Sequence, residues 1–149
     1  MLDDYLISTD GIDADHLLAE WRWLVGTKPI QIIAIAAIGN LFLQGESGRV
    51  YLLDIEHGVC DVIADSARDF RASLEDRHNR RAWLCGFLVR EMRRQAILLS
   101  PGECYGRKVP MILGGKGGTT DLHEPIGLAA HVSILGQLHR QLRETAPEY

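Results

Sequence analysis

The C-terminal half of the chain contains the residue types of two chemical sites, a cysteine nucleophile and a metal cluster. A catalytic triad could combine Cys104 with Asp121 and a histidine. Such a triad needs a thiolate beside a positive group in an exposed cleft, and the sequence shows neither. A metal cluster could combine Cys104 with three histidines, which are His123, His131 and His139. His131 and His139 would stand about 12 Å apart along a helix, too far for one ion. We therefore predict no catalytic residue, no metal site and no cofactor.

A glycine-rich loop at residues 114–120 matches a phosphate-binding loop only in part. In a P-loop, a Gly-Lys pair is followed by serine or threonine and then by a helix. Here two glycines follow Lys116, and Pro125 precedes the next predicted helix. A surface turn is the simpler interpretation. A small nucleotide- or ligand-binding module that uses the 101–120 loop remains the alternative function, and an enzyme that uses Cys104 is a third.

The charges divide the chain into an acidic first part and a basic remainder. The net charge of the 149 residues is −4. Residues 1–65 contain eleven acids and three bases, a net charge of −8, whereas residues 66–149 contain nine acids and thirteen bases, a net charge of +4. Such asymmetry can steer a charged partner. Five arginines are expected on the outer face of one helix, and because the chain is acidic overall, a solvated face is favoured over nucleic-acid binding. They are Arg80, Arg81, Arg90, Arg93 and Arg94.

Hydrophobic periodicity predicts one helix and four strands in the first 65 residues. The helix covers residues 13–24, and Asp10 or Asp13 caps it. Apolar, partly β-branched runs between glycine-containing turns predict the strands. Because the connections are too short for a parallel crossover, these strands must pair as an antiparallel meander. Their expected ranges are residues 32–37, 40–44, 50–54 and 59–64.

Three helices and a long loop are predicted after the meander. Ser66 starts a helix that ends near residue 76, and Asn79 caps a second helix that ends near residue 95. The last helix covers residues 128–144. Residues 101–127 are rich in glycine and proline and are expected to be mostly irregular, with a short strand at 109–113.

The predicted fold class is α+β: an antiparallel β-meander with helices packed on one side and a long Gly/Pro-rich loop. We expect one domain over residues 1–149, with an N-terminal helical segment at 1–27 and a motif-bearing body at 28–149. Three widely spaced cysteines are typical of reduced thiols, and no apolar run reaches the ~20 residues of a membrane span. The first residues are acidic, where a signal peptide would be basic. A cytoplasmic protein without membrane contact is therefore expected.

Several short motifs occur in an order that resembles one bacterial protein family. A strand motif at residues 48–54 is followed by Gly-Glu-Cys-Tyr at 102–105, Leu-Gly-Gly at 113–115 and Gly-Gln-Leu-His at 136–139. Together these motifs resemble the C-terminal domain of type VI secretion immunity proteins that neutralise DNase effectors. The likeness extends from about residue 21 to residue 141.

The resemblance implies a binding protein without enzymatic activity. Its partner would be the cognate secreted nuclease toxin, bound as a 1:1 heterodimer that occludes the toxin's active site, without direct contact with nucleic acid or membrane. The motif residues would build the fold, with Gln137 and His139 holding the long loop in place. These structural motif residues are Cys104, Tyr105, Pro110, Gly114, Gly115, Gln137 and His139.

Acidic residues in the first part of the chain are the expected toxin-binding surface. A DNase must carry a basic DNA groove, and carboxylates placed where phosphates would lie can fill it. Asp13 and Asp15 could instead serve only the dipole of the first helix. The predicted toxin-binding residues are Asp10, Asp13, Asp15, Glu20 and Glu46.

Overall fold

A five-stranded antiparallel sheet forms the centre of the protein. The computed structural model describes residues 2–117 and 119–145. The strands are β1 (Leu6–Ile7), β2 (Gln31–Ala36), β3 (Leu41–Gln44), β4 (Val50–Asp54) and β5 (Val59–Ala64). They lie across the sheet in chain order, which confirms the predicted meander. The sequence does not predict β1, because two residues are too few to show a period.

A second, two-stranded sheet replaces part of the irregular segment expected at residues 101–127. Its antiparallel strands are β6 (Glu103–Arg107) and β7 (His123–Gly127). The prediction of a strand at 109–113 is wrong, because Met111–Leu113 forms a 3-10 helix. Pro125 lies within β7, and its presence argued against a strand there. Proline cannot donate to a strand ladder and is confined to edge strands, which β7 is.

Six α-helices occur in the described residues. They are α1 (Ala14–Leu17), α2 (Arg22–Val25), α3 (Ala67–Ser73), α4 (Arg77–Leu84), α5 (Gly86–Arg94) and α6 (Leu128–Thr145). The other 3-10 helices are Leu2–Tyr5, Ala19–Trp21 and Thr120–Leu122. Asp13 caps α1 and Ser66 caps α3, as predicted. No helix of the described residues is both long and apolar enough to cross a bilayer.

The helix expected at residues 13–24 is interrupted. A 3-10 turn at Ala19–Trp21 separates α1 from α2. The turn directs Trp21 into the core, where the side chain is fully buried and its indole Nε1 donates to the Val132 carbonyl at 2.8 Å. Tertiary contact with α6 therefore overrides the continuous helical period of the sequence.

The helix expected at residues 79–95 is two helices, and it begins earlier than predicted. Asp76, rather than Asn79, is the N-cap of α4, because its carboxylate accepts from the Asn79 amide at 3.1 Å. Cys85 adopts the left-handed conformation with φ 46°, which ends α4 and starts α5 in a new direction. A non-glycine residue in this region costs on the order of 1–2 kcal/mol, so surrounding structure must hold it there.

Helices cover both faces of the central sheet, not one side as expected. The side chain of Phe42 packs on α3, with its ring 4.7 Å from that of Phe70, in a core that also includes residues of α4 and α5. The neighbouring residues Leu41 and Leu43 point to the opposite core, which is built with α1 and α6. Because adjacent strand residues point to opposite faces, β2 and β3, which are apolar except for Gln31 and Gln44, fit a sheet that is buried on both sides.

Candidate functional site

An acidic groove of about 600 Å³ runs between the N-terminal segment and the residues that precede β6. We define the acidic groove by its four carboxylate residues, which are Asp3, Asp4, Asp10 and Glu103. Arg93 also lines it and pairs with Asp4 at 3.3 Å. The Glu103 carboxylate accepts a hydrogen bond from the Ser100 amide at 2.7 Å, which fixes the wall formed by residues 100–103. The groove thus presents several carboxylates to a single ligand surface.

Only one of the five predicted toxin-binding residues lies in the acidic groove. That residue is Asp10, whose side chain is exposed. Asp13 caps α1 by accepting from the amides of Asp15 and His16 at 3.1 and 3.4 Å. The carboxylate of Asp15 is 90% exposed and pairs with Arg22 at 2.9 Å. Asp13 and Asp15 therefore have local structural roles, while both remain at the surface.

The other two predicted residues lie elsewhere. Glu20 is half-buried, and its backbone carbonyl accepts from the indole of Trp23 at 2.8 Å. Glu46 lies in the β3–β4 turn and lines a separate cleft of about 430 Å³, together with Lys28 and Tyr51. This cleft and the acidic groove share no lining residue. The structure therefore does not unite the predicted set on one surface.

Glu103 is, with Asp3 and Asp4, one of three acidic-groove carboxylate residues that are absent from the predicted set. It lies in the basic part of the chain, far in sequence from Asp3 and Asp10. The signal that could have found it is its place in the Gly-Glu-Cys-Tyr motif at residues 102–105. Only the folding of β6 beside the N-terminal segment brings its carboxylate to the groove.

Two motif residues of β6 connect the two cores. Cys104 is fully buried in the core beside α6, whereas Tyr105 is 2% exposed and lies in the core beside α5. The Tyr105 amide donates to the Ala37 carbonyl at 2.7 Å, and its hydroxyl donates to the Ile97 carbonyl at 2.6 Å. These bonds attach β6 to the end of β2 and to the segment that follows α5.

The motif histidine His139 fastens the turn between β4 and β5. Its Nε2 lies 3.1 Å from the carbonyl oxygens of Ile55 and Glu56, so a proton on that nitrogen would be shared between them. Its ring also packs on Trp21, with centroids 5.7 Å apart. The prediction that His139 holds the 101–120 loop is therefore wrong. Gln137 does not hold it either, since its exposed amide donates to the Ser133 hydroxyl one turn earlier in α6.

The 101–120 loop is held instead by Glu56, a residue of the β4–β5 turn that the sequence analysis did not select. Glu56 Oε2 accepts from the Met111 amide at 3.2 Å. The Pro110 carbonyl accepts from the Leu113 and Gly115 amides at 3.0 Å each, which closes the turn that follows. Gly114 has φ +95°, a conformation that favours glycine. Residues 110–115 therefore form a folded turn that Glu56 anchors at Met111.

Glu56 and His131 form a buried polar pair next to this anchor. Glu56 Oε1 lies 3.9 Å from His131 Nε2, and neither atom has a hydrogen-bond partner among the residues that the structure describes. Burial raises the pKa of Glu56, against the lowering effects of the Met111 amide and Arg107. Burial, assisted by His123, lowers the pKa of His131 to about 4. His131 is therefore neutral at pH 7 and gives no strong ion pair.

Cys104 lacks the properties of a catalytic nucleophile. Burial, with the nearby carboxylates of Glu103 and Glu56, raises the pKa of its thiol to about 12. A nucleophilic cysteine needs a lowered pKa and access to substrate. The Cys104 thiol is protonated at neutral pH and inaccessible, so its contribution is to packing.

Within the described part of the chain, the histidines form no metal site and the residues around Lys116 form no P-loop. Across residues 2–117 and 119–145, no three His, Cys, Asp or Glu residues are placed to hold an ion together. A small cleft of about 350 Å³ at the loop is lined by Arg107, Lys108 and Lys116. The Arg107 guanidinium donates to the Gly117 carbonyl, and the element that follows is the short 3-10 helix Thr120–Leu122. This geometry lacks the long helix whose N-terminus binds phosphate in a P-loop.

Residues 64–139 match a family model described as the C-terminal part of the T6SS immunity protein Tdi1. This region is just over half of the 149-residue chain. The chain belongs to this family of type VI secretion immunity proteins. No curated protein matches the sequence significantly.

The matched region of this immunity protein begins at the end of β5 and contains α3–α5, both strands of the second sheet and most of α6. Glu103, Cys104 and His139 lie within it, whereas Asp3 and Asp10 lie before it. The acidic groove is therefore built at the boundary between the family's characteristic region and the N-terminal part of the chain.

Proposed function

We propose that this chain is a cytoplasmic immunity protein that binds a cognate type VI secretion nuclease, a DNase, in a 1:1 complex and occludes its active site. It has no catalytic activity of its own in this proposal. Membership of the immunity family supports the binding of an effector. The observation that carries the choice of a nuclease is the acidic groove with Asp3, Asp4, Asp10 and Glu103.

Charge complementarity gives the physical reason for this choice. A DNase needs a basic groove to bind the phosphate backbone. Carboxylates of an inhibitor can occupy the positions of phosphates, which steers association and excludes DNA. The acidic groove offers this charge on a rigid surface, because Arg93 and the Ser100 amide hold two of its carboxylates in place.

Asp10 is the predicted residue that fits this role best, since it is exposed and lines the groove. Asp13 and Asp15 extend the same acidic segment at the surface, and we assign them to the edge of the toxin contact. Glu20 and Glu46 are assigned no contact, because Glu46 lines a different cleft and Glu20 is half-buried.

The proposal is tested with the product of the neighbouring gene, where the cognate effector is expected. The two proteins are co-expressed, with a catalytically inactive effector, and the complex is measured by native mass spectrometry. Purified active effector is then assayed for plasmid cleavage with increasing amounts of the immunity protein. We expect a 1:1 complex and loss of cleavage near equimolar ratio. An effector that forms no complex, or that does not cut DNA, would contradict the proposal.

A second assay separates occlusion from other ways of inhibition. The inactive effector binds a fluorescent DNA duplex, and the immunity protein is added. Occlusion predicts that DNA is released as the complex forms. A ternary complex of effector, DNA and immunity protein would show that inhibition occurs without occlusion of the DNA groove.

A further inference from the structure

A second groove, lined by positive rather than negative charge, lies between α4 and α5. It has a volume of about 610 Å³. We define the arginine groove by four cations and one aromatic residue, which are Arg77, Arg80, Arg81, Arg90 and Phe87. Tyr5, from the 3-10 helix Leu2–Tyr5, also lines the groove. No function proposed above uses this groove.

The strained residue Cys85 brings these arginines together. In one continuous helix, Arg77 and Arg90 would point in directions about 140° apart, and Arg81 and Arg90 would point in opposite directions, since each residue turns the helix by about 100°. The left-handed conformation of Cys85, with φ 46°, redirects α5 so that all of them line one groove. The fold thus maintains an unfavourable backbone conformation at the position where the arginine groove is formed.

Most of the positive charge in the arginine groove is uncompensated. Arg80 donates to the Leu74 carbonyl and pairs with Glu75 at 3.3 Å. For Arg77, Arg81 and Arg90, no carboxylate of the described residues lies within ion-pair distance. Their guanidinium groups are available to an external anion.

The apolar surface of the groove indicates that the anion is part of a protein. Phe87 is 68% exposed beside the arginines, the largest exposed fraction among the exposed large hydrophobic residues of the described chain. A free phosphate would leave this ring in water, whereas a peptide can cover it with an apolar side chain while its carboxylates meet the guanidinium groups.

We infer that the arginine groove binds a short acidic segment of a protein partner, through bidentate carboxylate–guanidinium contacts and an apolar contact on Phe87. A nucleic acid fits less well, because Asp3 and Asp4 lie on the same short 3-10 helix as Tyr5 and would repel a phosphate backbone that extends beyond the groove there. The chain as a whole, with a net charge of −4, also repels a long polyanion. This inference concerns a second surface and is independent of what the acidic groove binds.

The test measures binding of a fluorescent oligoglutamate peptide to the full chain by anisotropy, at low and high salt. The groove variant replaces Arg77, Arg81 and Arg90 by glutamine. The matched control makes the same change of charge at three exposed arginines outside the groove, which are Arg49, Arg68 and Arg71. We expect salt-sensitive binding that the groove variant weakens by about ten-fold or more and the control weakens little.

Further variants keep the test decisive. Replacement of the same three arginines by lysine keeps the charge but removes the bidentate geometry, so intermediate binding is expected. This variant also serves if the glutamine variant does not fold. Absence of oligoglutamate binding, or equal loss in groove and control variants, would overturn the inference. So would tighter binding of an oligothymidylate of equal charge through the same arginines, which would make the groove a nucleic-acid site.

Discussion

The imidazole of His139 lies directly over Gly58, so that a Cβ built at Gly58 would come within 2.4 Å of His139 Nδ1. This contact joins the α6 motif to the β4–β5 turn, which also holds the carbonyls that accept from His139. The first prediction follows from it. Gly58→Ala should lower the free energy of unfolding by about 2–4 kcal/mol, because it combines the clash with a φ of +69°.

Gly48→Ala is the control for the Gly58 variant. Gly48 has φ +89°, and a Cβ there meets no atom within 4 Å. Gly48→Ala should therefore lower the free energy of unfolding only by the cost of placing alanine at a positive φ, about 1 kcal/mol. Denaturant unfolding of both variants measures the difference. Equal losses would show that His139 does not restrict this position.

The second prediction concerns the Leu-Gly-Gly motif. A Cβ at Gly115 would lie 2.0 Å from the Val109 carbonyl oxygen, whereas a Cβ at Gly114 meets no atom within 4 Å. Gly115→Ala should therefore destabilise by about 2–3 kcal/mol, and Gly114→Ala by about 1 kcal/mol from its positive φ alone. Thermal melting ranks the two variants. The reverse order would mean that the turn after Pro110 moves freely.

The third prediction is a pH dependence caused by His131. Its pKa is about 4 in the folded protein and near 6.5 when unfolded, so the unfolded state binds more protons between these values. Stability should therefore decrease as the pH falls from about 7 to 4, by up to roughly 3 kcal/mol. Glu56 acts in the opposite direction, since its raised pKa favours the folded state at low pH and this contribution is lost as pH rises through the folded pKa.

Chemical denaturation over this pH range tests the contribution of His131. His131→Gln removes the titrating group, so its stability curve should be flatter than that of the unmodified protein. His16→Gln, at an exposed position on α1, is the matched control. If His131→Gln left the slope unchanged, another group would have to cause the dependence.

The fourth prediction separates packing from chemistry at Cys104. Cys104→Ser places a hydroxyl in an apolar core and should destabilise the folded protein by about 1–3 kcal/mol. Cys104→Ala introduces no polar group into that core. Both variants should protect cells from the effector while they remain folded. Survival on induction of the effector, compared with folded yield, measures this. Loss of protection by a folded variant would restore the enzymatic hypothesis.

The fifth prediction concerns the acidic groove. Asp3→Lys with Asp10→Lys should slow association with the effector by about ten-fold at low salt and much less at high salt, because steering is screened. Asp61→Lys with Asp65→Lys changes the net charge equally at exposed positions outside the groove. Stopped-flow kinetics at two salt concentrations compares the pairs. If both slowed association equally, net charge rather than the groove would be responsible.

Asp13 and Asp15 need milder changes in the same experiment. Asp13→Asn keeps an oxygen that can cap α1 while it removes the charge. Reversal of Asp15 would also break its pair with Arg22. A rate that falls for these variants without a change in melting temperature would place them in the toxin contact.

Local sequence patterns predicted the meander, whereas features that depend on contacts between distant segments could not be predicted. The strands β2 to β5 show apolar runs between glycine turns, and the caps Asp13 and Ser66 act within a few residues. The pairing of β6 with β7 joins segments separated by residues 108–122, so no local period marks it. The break at Cys85 lies in a sequence that favours a continuous helix, and only tertiary packing enforces it.

The sequence by itself determined the family, the α+β class and the division of charge between the two parts of the chain, since motifs, periods and composition are properties of the chain alone. Tertiary structure decided which charges meet. Asp10 and Glu103 line one groove, and arginines of two helices share another. Asp13 caps α1, whereas Asp15 pairs with Arg22 of α2. The reason is physical: a surface collects residues by their position in space, and that position is fixed by strand pairing and helix direction rather than by distance along the chain.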